Sequence, residues 1–158
     1  MLPLEFQQVR EQLNQHPCPF EKAILSSCCC TKCQRLNLAE RETAACLSAT
    51  AQARCAKLLD QLYQNARFAI KTVRLVGRPP HAKAMKVQCG GLIGLQSVLI
   101  FKVAFETIKE GFETKQVKDI DTLITEALEQ LDRVEKFPYQ EIVKFISHYQ
   151  VRAKRAHS

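Results

Sequence analysis

Apolar residues recur through the middle of this chain with the period of a helix. Cys55, Leu58, Leu59, Leu62, Ala66, Ala69, Ile70 and Val73 form one continuous stripe, which predicts a long amphipathic helix capped by Ser48 or Thr50. Ile120, Leu123, Ile124, Ala127, Leu128 and Leu131 repeat in the same way and predict a helix over 120–134. Pro138 suits the opening of a last helix, with Ile142, Val143, Phe145, Ile146 and Tyr149 on its inner side.

The first third of the chain is less regular. Leu4, Val9 and Leu13 mark a modest helix over 3–15, ended by Pro17 and Pro19. Pro19 and Glu21 suit the start of a second helix carrying Phe20, Ala23 and Ile24. Asn37 followed by Glu40 resembles a capping box, and predicts a short third helix over 38–46. Gly77, Pro79 and Pro80 break the chain, and a helix over 92–112 follows Gly90-Gly91. Regular alternation is scarce, which argues against a sandwich or barrel. The pattern therefore predicts an all-α, single-domain bundle of about six helices. Residues 1–112 carry the cysteine-bearing helices and the Gly-Gly turn, and 113–158 form a C-terminal helical pair.

Cysteine changes this picture most. Seven of the eight cysteines fall between Cys18 and Cys55, and the eighth is Cys89. The amino terminus shows neither a basic start nor an apolar run, so the expected compartment is the cytoplasm. In a reducing compartment clustered thiols point to metal, redox chemistry or packing rather than a disulfide framework. Cys18 stands at or near a helix N-cap, where backbone N–H groups favour a thiolate. Cys89 is expected to stand just before a helix in the same way. Cys30 belongs both to Cys28-x-Cys30 and to Cys30-x-x-Cys33, and is chosen over Cys28, Cys29 and Cys33. Cys46 closes the predicted third helix, and Cys55 opens the long stripe. The candidate metal ligands are Cys18, Cys30, Cys46, Cys55 and Cys89.

Ligands scattered over several helices suit a cluster with a wide reach. The expectation is a [4Fe–4S]-type iron–sulfur protein in electron transfer or redox and iron sensing. Zinc and copper(I) are the alternative metals, and a metal-free thiol–disulfide switch headed by Cys18 is a further alternative. His16, His81, His148 and His157 lack an obvious carboxylate orienter, so substrate turnover is not expected.

Net charge is +7, from 23 Lys and Arg against 16 Asp and Glu. The excess is dispersed apart from a denser basic run at Lys144, His148, Arg152, Lys154 and Arg155. That balance fits an acidic redox partner better than nucleic acid, for which no binding motif is present. A homodimer is also compatible with it. No stretch has the ~18 apolar residues of a membrane span.

Overall fold

The computed structural model describes residues 14–38, 40–68, 70, 81–109 and 116–151. The helix expected over 3–15 lies outside these but for its last two positions, which are not helical. The end of the long stripe beyond 70 and the basic positions beyond 151 also lie outside them.

Six helices and one hairpin make up the described chain. They are α1 (Glu21–Ser26), β1 (Cys33–Leu38), β2 (Arg41–Cys46), α2 (Ala49–Ala66), α3 (81–100), α4 (Phe105–Lys109), α5 (Ile120–Leu131) and α6 (Tyr139–His148). A 3₁₀ turn, Val134–Lys136, joins α5 to α6. Ser48 caps α2, its Oγ accepting the Ala51 amide at 3.1 Å. Cys55, Leu58, Leu62 and Ala66 turn inward from α2, as the stripe requires. Leu58, Leu62, Leu92, Leu95, Ile124 and Ile146 lie at the centre of the core.

The all-α expectation is corrected by the hairpin. Residues 38–46 are not a helix: β1 and β2 pair antiparallel, from Cys33 opposite Cys46 to Leu38 opposite Arg41. Glu40 turns the chain with φ of 67°. Long-range contacts override local helix preference here. The stretch preceding α1 lies along the outer edge of β2. There Cys18 N–H donates to Ala44 O at 2.9 Å and Cys46 N–H to His16 O at 2.7 Å. Pro17 stands opposite Ala45, where its missing N–H leaves no gap in this ladder. Glu21 Oε1 accepts the Ala44 amide at 2.8 Å, and Ala44 is fully buried. The second half of β2 is thus held on both edges, which satisfies backbone groups that an isolated helical turn would leave unpaired.

The second correction concerns α3. It is one continuous helix in which α-helical stretches, His81–Met85 and Gly91–Leu95, alternate with π-helical ones, Lys86–Gly90 and Gln96–Ile100. Cys89 is therefore inside a helix, not ahead of one. Gly90 and Gly94 let α3 lie against α6, and Gly91 meets Leu62 of α2. Buried Gln88 fixes α3 to α1, its Oε1 accepting the Ala23 amide at 3.1 Å. Among the described residues no helix is long and apolar enough to cross a membrane.

Candidate metal centre

The sequence Cys30-Thr31-Lys32-Cys33 folds as a tight turn that leads into β1. Cys33 N–H donates to Cys30 O at 3.1 Å, which closes the turn. The Lys32 amide faces the Cys30 sulfur, as does the Asp121 amide at the start of α5. Donors aimed at sulfur favour the thiolate. The turn is clamped from outside. Asp119 Oδ1 accepts the Thr31 amide at 2.9 Å and lies 3.3 Å from Thr31 Oγ1, and Ile120 N–H donates to Cys29 O at 2.9 Å. Burial alone would raise the Asp119 pKa, but hydrogen bonds from Thr122 and Thr31 hold it below the ordinary carboxylate range.

The hairpin register supplies the next two sulfurs. Cys33 and Cys46 are direct cross-strand partners. Both amides point away from the pair, Cys33 N–H to Cys30 O and Cys46 N–H to His16 O. Such a non-hydrogen-bonded pair has Cα atoms about 4.5 Å apart and its side chains close on one face. Cys18 pairs with Ala44, two residues from Cys46, so alternation turns it to that same face. Cys55 reaches the group from the first turns of α2.

Each of these five thiols has at least two of the others beside it. Cys18 feels Cys33, Cys55 and Cys30, while Cys33 feels Cys30, Cys18 and Cys46. Cys55 feels Cys30 and Cys46. For Cys18, Cys30, Cys33 and Cys55, burial is the leading influence and opposes ionisation. It pushes Cys55 up to about 12 and Cys18 higher still. The expectation of a lowered Cys18 pKa is thus corrected for the metal-free chain. The helix begins at Glu21, two residues past Pro19, and only the Phe20 amide offsets the burial of Cys18. Among the described residues, no group of three or more cysteine, histidine or carboxylate side chains is placed so that it could hold a metal ion.

Of the expected ligands, Cys18, Cys30, Cys46 and Cys55 share this group. Cys89 does not join them: it lies with Cys28 and Tyr149 on the far side of α1. Cys33 takes a central place that the sequence choice withheld from it. The Cys30-x-x-Cys33 spacing was the available signal, since a turn of that length brings both sulfurs to one side. The Cys46 S–H donates to Ser48 O at 3.2 Å.

The donor set suits a soft or borderline metal. Of the five sulfurs, Cys55 is buried and the other four are partly exposed, with amide donors on at least two of them. Comparison of the chain with protein-family models, curated proteins and solved structures finds no match.

Proposed function

We propose that this chain is a cytoplasmic iron–sulfur protein whose cluster is held on the hairpin face by cysteine thiolates. The observation that supports it is the convergence of Cys18, Cys30, Cys33 and Cys55, each the neighbour of at least two others. A [4Fe–4S] cluster takes four thiolates. Cys46 stands beside that quartet as a fifth sulfur.

The protein supplies what a cluster needs around it. Burial on the α2 side excludes water, and the Phe20, Lys32 and Asp121 amides face the sulfurs of Cys18 and Cys30. Such hydrogen bonds and burial are the levers that set a cluster's potential. The bound cluster would supply one-electron chemistry, in keeping with electron transfer or redox and iron sensing. The net charge of +7 favours an acidic redox partner.

Zinc is the second reading. It is favoured by the tight Cys30–Cys33 turn with Cys46 directly opposite Cys33, a compact arrangement of the kind that structural zinc uses. The deciding experiment is metal and acid-labile sulfide analysis, with a visible spectrum, on protein prepared without oxygen. Iron and sulfide in near-equal amounts support the cluster. Zinc without sulfide assigns the site a structural role, and no metal at all overturns both.

A further inference from the structure

The run Cys28-Cys29-Cys30 sends its first thiol away from the metal face. Cys28 is 2% exposed and Cys89 is fully buried. Ser26 Oγ lies 3.5 Å from Cys89 Sγ, and Ser27 Oγ lies 3.9 Å from Cys28 Sγ. Cys28 and Cys89 are electrostatic neighbours. Tyr149 has Cys89, Cys28 and Ser27 beside it. The two buried thiols and the half-buried Tyr149 thus lie together between α1, α3 and the end of α6.

Tyr149 covers the two thiols. It is the first residue past α6, half-buried, and it lines an open cavity of about 230 Å³ with Gly90, Phe105, Phe145 and His148. Gly90 makes the cover fit. A Cβ there would lie 2.8 Å from the Ile146 Cα and 3.2 Å from the Tyr149 Cβ. The glycine after Cys89 therefore lets the end of α6 close down over the sulfur. Nothing in the metal site uses these residues.

We propose that Cys28 and Cys89 are a redox dithiol, covered by Tyr149, which a small-molecule disulfide oxidises by way of the cavity. Cys89 attacks one sulfur of the small disulfide. That S–S bond breaks, a mixed disulfide forms on Cys89, and the departing sulfur leaves as a thiol carrying the Cys89 proton. Cys28 then attacks the Cys89 sulfur and expels the second small thiol, which takes the Cys28 proton. Two protein thiols are oxidised and one disulfide is reduced to two thiols. The new bond ties the loop after α1 to α3, two residues from Cys30.

The test treats the full chain, prepared without oxygen, with excess oxidised glutathione. Free thiols are then alkylated, cross-linked peptides are mapped, and fragmentation within residues 23–32 assigns the sulfur. The expected product joins Cys28 to Cys89, with metal and sulfide content unchanged. Tyr149→Ala should raise its rate of formation by roughly tenfold, because local opening no longer limits access. Cys89→Ala should abolish it; if that variant does not fold, the map of the unaltered chain decides alone. Finding Cys28 and Cys89 both alkylated while exposed Cys29 carries glutathione would overturn the proposal. A bond from Cys28 to any other cysteine would overturn it too. The map reads these two sulfurs whether or not the other five bind a metal.

Discussion

Cys33 and Cys46 face each other across the β1–β2 ladder with both amides turned away, which makes them the closest kind of cross-strand pair. Their positions differ in one respect. Cys33 is also the end of the Cys30 turn and a neighbour of Cys18, whereas the Cys46 S–H is occupied by Ser48 O.

The metal centre should therefore lose Cys33 badly and Cys46 mildly. Cys30→Ser and Cys33→Ser are expected to weaken metal retention by at least the 10–100-fold that even an outer-shell loss costs. Cys46→Ser and Cys89→Ala should keep full stoichiometry. Metal analysis of the four variants, purified side by side without oxygen, checks this. Full metal in Cys33→Ser together with none in Cys46→Ser would reverse the assignment.

Asp119 controls the Cys30 turn without being placed among the ligands. Its carboxylate is bonded by the Thr31 amide and by the hydroxyls of Thr31 and Thr122. Asp119→Ala should cost about 0.5–1.5 kcal/mol, the net worth of hydrogen bonds whose donors water can reach once the carboxylate is gone. It should also speed metal release to a chelator. Asp119→Asn retains an acceptor and should fall between the two. Chelator-release rates that are identical in all three proteins would remove Asp119 from this role.

The thiols give the stability of the chain a sign that depends on metal. Burial and the neighbouring Cys30 and Cys46 raise Cys55 from 9.0 to about 12. The folded apoprotein thus keeps a proton that the unfolded chain gives up. This stabilisation is whole below about pH 9 and is lost as pH rises toward 12. The metal-loaded protein already holds thiolates, so it should instead lose metal as pH falls, when protons compete for sulfur. Urea melts at about pH 7 and about pH 10.5, with and without chelator, compare the two directly. Equal alkaline loss in both forms would contradict this account.

Gly90 is a steric requirement. An alanine Cβ there would press on the Ile146 backbone at 2.8 Å, and backbone yields less easily than a side chain. Gly90→Ala should destabilise by about 1–3 kcal/mol, the usual range for overpacking. For a domain of this size that lowers the melting temperature by roughly 2–4 °C per kcal/mol. A calorimetric scan showing no shift would mean that α6 moves aside without cost.

The helices were legible where one face is continuously apolar. The stripes of α2, α5 and α6 bury Leu58, Leu62, Ile124 and Ile146 because their period leaves no other face to bury. The hairpin was not legible. Asn37, Ala44 and Ala45 carry no strand alternation, and their conformation is set by Pro17, Cys18 and Glu21, distant in sequence. Cys18, Cys30, Cys46 and Cys55 stand out by local spacing, and the fold brings them into one neighbourhood. Cys89 falls inside α3 and not ahead of a helix, because Gly90-Gly91, which the sequence reads as a turn, does not bend the chain. In the fold the two glycines are contact points within a helix whose π-helical stretches let it continue.

Cys28 is buried beside Cys89, Cys29 is exposed, and Cys30 lies beside Cys18, Cys33 and Cys55. The run works as a counting device, in which each of three consecutive positions carries its own duty. A substitution at one position silences one duty and leaves the others in place. A single inserted or deleted residue would exchange them all, delivering a metal-face sulfur to Tyr149 or to water. At these three positions the spacing of the chain matters more than the identity of any one cysteine.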